Sequence, residues 1–176
     1  MINVLWRRLD VPGHDSCRLD GFRLEGTAVF EGPAQVRYEL TCDEQWISRH
    51  GRIQGWIGGE SFDLTIEHTD TWLLNGKRVP GLDHCLDLDY GFTPATNFTQ
   101  LRRVALNVGE AADVNVAWID VPSAQLTFLS QRYERRTEQT YWYESPTANY
   151  AAELVMAANG FTLSYPGLWE QVASRP

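Results

Sequence analysis

Apolar residues in this chain recur at every second position, and residue pairs that suit tight turns interrupt the alternation. A period of two puts alternate side chains on opposite faces of an extended strand, so the pattern commits the chain to β-structure. Asn75-Gly76 separates Trp72-Leu-Leu from Lys-Arg-Val79, and Asn-Gly favours the two-residue hairpin turn. Pairing Leu74 with Lys77 sets Trp72 opposite Val79. Gly58-Gly59 likewise sets Ile53 opposite Leu64 and Gly55 opposite Phe62, and Asn159-Gly160 sets Met156 opposite Leu163 and Leu154 opposite Tyr165. A fourth hairpin is expected around a five-residue loop from Gly109 to Asp113. That loop length keeps Val104, Leu106 and Val108 on one face with Val114, Val116 and Trp118, whereas a one-residue slip exposes the whole set.

Further strands are expected at 22–30, 35–41, 49–57, 61–68, 125–134, 140–144 and 150–156. No window of helical length carries a 3.6-residue apolar stripe. One short helical turn is expected after Thr93-Pro94, because Thr caps and Pro suits a first helical position. The length suits one domain spanning residues 1–176. The fold class that follows is all-β: a single antiparallel, many-stranded meander that curls into a β-roll or barrel-like form with at most short helical turns. Such interiors hold small apolar ligands.

Charge and cysteine content narrow the partners. Fifteen basic against twenty-three acidic residues leave a formal charge of −8, which opposes a general nucleic-acid role resting on phosphate neutralisation. Cys17, Cys42 and Cys85 form no CxxC pair and leave an odd thiol, which fits a reducing compartment over a secreted disulfide framework. Arg7 and Arg8 interrupt the N-terminal apolar residues before a signal-length run develops, and no segment has bilayer-spanning apolar length. A cytoplasmic protein is the reading these features give. Seven Trp, seven Tyr and seven Phe suit both a β-core and an apolar or stacking pocket.

The alternation fails over Asp87 to Val104, where carboxylates, hydroxyls, an amide and paired arginines crowd together. As a strand, Asp83, Cys85, Asp87 and Asp89 share one face while His84 projects from the other, which disfavours zinc. Leu86 and Leu88 then face the core and the acids face solvent. As an acid pair, Asp87 and Asp89 lie about 7 Å apart, within the range of inverting glycosidases but on one strand rather than flanking a substrate. Cys85 lacks a base on its own face and reads as an inert thiol. No GxSxG, P-loop, GxGxxG or HExxH motif is present. Neither a catalytic residue, a metal nor a cofactor is assigned.

Thr93, Thr96 and Asn97 with Arg102 and Arg103 form the better recognition candidate, supplying compact donors and acceptors beside planar guanidinium forks. On a strand leading into Val104, Arg102 shares the inner face and needs a carboxylate partner, with Asp87 or Asp89 the obvious one. A buried ion pair and a ligand contact are the two readings of that arrangement. Trp118, Tyr133, Tyr141 and Tyr143 supply aromatic surface, the three tyrosines forming either a cross-strand ladder or a ligand wall. Trp46, Arg49 and Gln131 belong to the same aromatic and polar remainder.

Leu82-Asp-His-Cys85, Asp87-Leu-Asp89, Gly91-Phe-Thr-Pro-Ala-Thr-Asn97 and Leu101-Arg-Arg103 together resemble a bacterial family described as putative glycolipid-binding. Ala117-Trp118, Gln131-Arg-Tyr133, Tyr141-Trp-Tyr-Glu144 and Tyr165-Pro-Gly-Leu-Trp169 extend the likeness over almost the whole chain. One departure is Phe98-Thr-Gln-Leu101, where the resemblance implies a Leu-Pro-Ile-like run. The resemblance implies a spiral β-roll and a lipid-like or glycolipid ligand, and brings no catalytic residues.

The expected function is therefore non-enzymatic binding of an amphipathic ligand, with Asp87, Asp89, Thr93, Thr96, Asn97, Arg102, Arg103, Trp118, Tyr133, Tyr141 and Tyr143 as its site. A small hydrolase using Asp87 or Asp89 as acid or base is the alternative, alongside a structural or partner-binding domain.

Overall fold

The structure is a computed structural model and describes residues 1–121 and 123–176. Eight strands come first: β1 (Ile2–Arg8), β2 (Gly13–Asp20), β3 (Arg23–Phe30), β4 (Ala34–Cys42), β5 (Ser48–Ile57), β6 (Glu60–His68), β7 (Trp72–Leu74) and β8 (Lys77–Arg78). A short β9 (Asp87–Tyr90) and the helix α1 (Thr96–Val104) follow. The chain then runs through β10 (Ala111–Asp120), β11 (Gln125–Arg135), β12 (Thr140–Ser145), β13 (Tyr150–Met156), β14 (Thr162–Tyr165) and β15 (Trp169–Arg175). Among the described residues these strands form one open sheet, ordered β8 to β1, then β15 down to β9. No helix among them is long and apolar enough to cross a membrane.

Turn chemistry and face matching set the local registers as expected. Leu74 pairs with Lys77, and the Val79 amide bonds the Trp72 carbonyl. Ile53 opposes Leu64 and Gly55 opposes Phe62. The Asn159-Gly160 hairpin keeps the expected register at Val155 with Ser164, but a bulge then pairs Met156 with Thr162 instead of Leu163. The extra residue turns Leu163 outward and leaves Met156 and Phe161 buried.

The hairpin expected around Gly109 to Asp113 does not form. Residues 96–104 are helical, Ala105 ends the helix at φ 47°, and β10 meets β9 in parallel on one side and β11 on the other. Val108 is consequently exposed. The expected helical turn after Thr93-Pro94 is a full nine-residue helix, with the Thr93 hydroxyl accepting the Ala95 amide just ahead of it.

β9, the last strand in the sheet order, packs back against β5 of the other half, and it is buried on both faces. Leu88 and Tyr90 face β4 and β5, where Tyr38 packs edge-on to Tyr90 at 5.8 Å. Asp87 and Asp89 face α1 and β11. The expectation that these acids are solvated therefore fails, because the strand has no solvent side. The edge of β9 away from β10 is satisfied through Ser48, whose amide donates to Leu86 and whose hydroxyl accepts from Leu88. Such pairing is required of backbone groups this deep.

Gly51 makes this approach of β5 to β9 feasible, since a Cβ there would run into the Tyr90 hydroxyl and the Leu88 side chain. Tyr90 cannot swing away without losing its 2.7 Å hydrogen bond to the Glu39 carbonyl. Gly51→Ala is expected to destabilise the fold by about 1–3 kcal/mol in urea denaturation. Adding Tyr90→Phe, which removes the colliding hydroxyl, should recover part of that loss.

Candidate functional site

The centre of the roll is a polar plug built from α1, β9 and β11. Arg103 wraps Asp87 with three hydrogen bonds of 2.6–2.9 Å. Burial raises the Asp87 pKa, and the Arg103 fork opposes that rise. Asp89 accepts from Thr96 at 2.5 Å and from Gln131 at 2.8 Å. It has no cationic hydrogen-bond partner, and burial moves its pKa upward against the pull of those bonds. The Tyr133 hydroxyl is the hub, receiving the Asn97 amide at 2.6 Å and donating to Gln100 at 2.9 Å. Helical periodicity explains why Arg103 rather than Arg102 turns inward: the strand parity that favoured Arg102 does not apply to a helix.

Two cavities flank the plug. A cavity of about 450 Å³ is lined on its β9 and α1 side by Asp89, Thr93 and Asn97. Trp118, Tyr143, Tyr150, Tyr165 and Trp169 form its walls, with Phe128 exposed at the mouth. The Tyr143 and Tyr165 rings meet edge-on at 5.7 Å, and Tyr150 lies 5.4 Å from Tyr165. A second cleft of about 540 Å³ is lined by Phe98, Arg102, Arg135, Tyr141 and Met156 among others. The two open toward opposite ends of β11 to β13, since Leu129, Tyr143 and Tyr150 line the first and Arg135, Tyr141 and Met156 the second.

The structure thus divides the residues singled out from sequence. Asp89, Thr93, Asn97, Trp118 and Tyr143 share the aromatic cavity, while Arg102 and Tyr141 lie across the plug in the other cleft. Thr96, Tyr133, Asp87 and Arg103 are plug residues that hold the others in place. The tyrosine ladder is real between Tyr133 and Tyr143, 4.9 Å apart, and Tyr143 extends it to Tyr165. Asp83 leaves the proposed acidic face altogether, bonding Thr71 and Arg78 at the surface. Burial lifts the Cys85 thiol to about 11, which removes the thiolate a nucleophile needs.

Sequence reasoning missed Asp15. It is fully buried on β2, where its Oδ2 accepts from the Thr93 hydroxyl at 2.5 Å and from Tyr38 at 2.9 Å. Its Oδ1 has no partner. Burial without a neighbouring cation pushes its pKa to about 7. The available signal was parity, since Asp15 shares a face with the buried Cys17 and Leu19. Thr93 is bonded to Asp15 and lines the aromatic cavity, so its hydroxyl links the buried acid to the cavity wall.

Comparisons with known proteins agree with this architecture. A family model described as "Putative glycolipid-binding" matches residues 3–171. A crystal structure of a DUF1089 family protein from Pseudomonas aeruginosa superposes with a TM-score of 0.80 at 26% identity, covering 89% of this chain and 90% of that one. No curated protein matches the sequence.

Asp15 gives the fold a pH signature. Its folded pKa is raised from 3.8 to about 7, so its contribution to stability is full below pH 4 and is lost as pH rises through 7. The shift corresponds to a loss of up to ~4 kcal/mol. Asp15→Asn, which cannot ionise, should gain stability relative to the parent between pH 4 and pH 8 in paired thermal melts. A difference that stays constant with pH would show that Asp15 does not titrate in this window.

Proposed function

This chain belongs to the putative glycolipid-binding family, and from that premise we propose that it binds an uncharged amphipathic ligand of glycolipid type without transforming it. The observation that carries this reading is a cavity that sets tyrosine and tryptophan walls beside the polar side chains of Asp89, Thr93 and Asn97. Trp118 and Tyr150, both half-buried, offer aromatic surface for sugar C–H groups or an alkyl chain. Asp89 and Asn97 offer the paired acceptors and donors that ring hydroxyls require. Asp89 and Asn97 are already anchored by Gln131, Thr96 and Tyr133, so little side-chain freedom is lost on binding. The cavity volume lies within the usual range for small-molecule sites.

A hydrolytic reading draws on one observation, the upward shift that burial gives the Asp89 carboxyl where it lines the cavity. It needs a second catalytic group, and Asp87 is engaged by Arg103 within the plug. Binding without turnover is the better supported reading. The three free, buried thiols fit a reducing compartment such as the cytoplasm.

Octyl glucoside, titrated below its micellar concentration, is expected to bind one-to-one and to change tryptophan fluorescence. Trp118→Ala should weaken it about tenfold, equivalent to ~1.4 kcal/mol. Absence of binding to the parent protein would sink the proposal. Release of nitrophenol from an octyl-type nitrophenyl glycoside or ester, abolished by Asp89→Asn, would replace it with the hydrolytic one.

A further inference from the structure

We propose that the cleft beside the C-terminal end of α1 is a second binding site, one that takes an anionic amphiphile. It is separated from the aromatic cavity by the polar plug, and the inference does not depend on what the aromatic cavity binds. The floor is apolar and buried, formed by Phe98, Leu101, Leu106, Tyr141 and Met156. Two guanidiniums sit above it, each over an aromatic ring: Arg102 5.2 Å from the Phe98 centroid and Arg135 5.6 Å from that of Tyr141.

Neither arginine has a carboxylate partner among the described residues. Arg103, next in the chain, is by contrast fully engaged with Asp87. Acidic residues outnumber basic ones by twenty-three to fifteen, so two unpaired guanidiniums in one cleft run against the composition. Arg135 is further fixed by donating to the carbonyls of Leu106, Thr137 and Glu138 at 2.7–3.3 Å, which orients it without neutralising it. Exposed Glu138 lies on the same rim, leaving two positive charges against one negative. The carbonyl end of α1 accounts for a preference for cations in its last turn. It does not account for Arg135, which comes from a different element.

Planar forks above an apolar floor suit one carboxylate or phosphate monoester carrying a hydrocarbon chain. The cleft, about 540 Å³, accommodates a chain of modest length.

The test is calorimetric titration of the full chain with decyl phosphate, decyl glucoside and inorganic phosphate, each below micellar concentration. Decyl phosphate is expected to bind one-to-one and to weaken with added salt. Arg102→Gln should lower its affinity about tenfold, Arg102→Lys less, and Trp118→Ala not at all. Inorganic phosphate binding as tightly as decyl phosphate would overturn the amphiphile assignment in favour of a small oxyanion site. Decyl phosphate affinity unmoved by Arg102→Gln, or lost in Trp118→Ala instead, would overturn the site itself. Failure of octyl glucoside to bind would leave this result standing, so the two proposals fail separately.

Discussion

Burial of β9 on both faces is the constraint around which the rest of this protein is arranged. A strand with no solvent side must have each backbone and side-chain polar group matched from within. Ser48 closes its free edge, Gly51 admits Leu88 and Tyr90 against β5, and Arg103, Thr96 and Gln131 meet its two aspartates. The partners come from β5, α1 and β11, so the strand ties the two halves of the curled sheet to α1. An apolar strand would have filled the same volume with fewer conditions on its neighbours. The polar version specifies one arrangement of helix and sheet, because any other leaves a carboxylate unmatched.

That arrangement also partitions the interior. The plug of Asn97, Gln100, Gln131 and Tyr133 stands between two cavities of contrasting chemistry. One combines tyrosine and tryptophan walls with Asp89, Thr93 and Asn97. The other combines an apolar floor with unneutralised guanidiniums. α1 contributes to both, presenting Asn97 to one and Phe98 and Arg102 to the other. A single nine-residue helix thus sets the character of each.

Local pairing was legible in the sequence, and long-range placement was not. Asn75-Gly76 and Gly58-Gly59 specify their hairpins because turn geometry and apolar parity agree within a dozen residues. Nothing comparable announces the parallel pairing of β9 with β10, which depends on α1 crossing between them. α1 itself was hidden because its buried face carries Thr96, Asn97, Thr99 and Gln100, so no apolar stripe marks it. Reading that stretch with a period of two exchanged the roles of Arg102 and Arg103. Of the polar insert, Asp89, Thr93 and Asn97 meet at a cavity. Asp15 escaped notice because Gly-His-Asp-Ser-Cys-Arg on β2 has too few apolar residues to display its alternation.

The pairing of β1 with β15 joins Asn3 to Arg175 in the middle of the sheet, between two halves that are each stitched by local turns. During synthesis β15 leaves the ribosome after the other strands of this sheet, so β1 has one edge unpaired until β15 emerges. Closing that seam spans nearly the full sequence, the slowest kind of contact to form. Until then β1 is the exposed edge at which nascent chains could pair with one another. A circular permutant that joins the present ends and opens the Asn75-Gly76 turn would convert this late step into an ordinary hairpin, moving chain entry from the centre of the sheet to its rim.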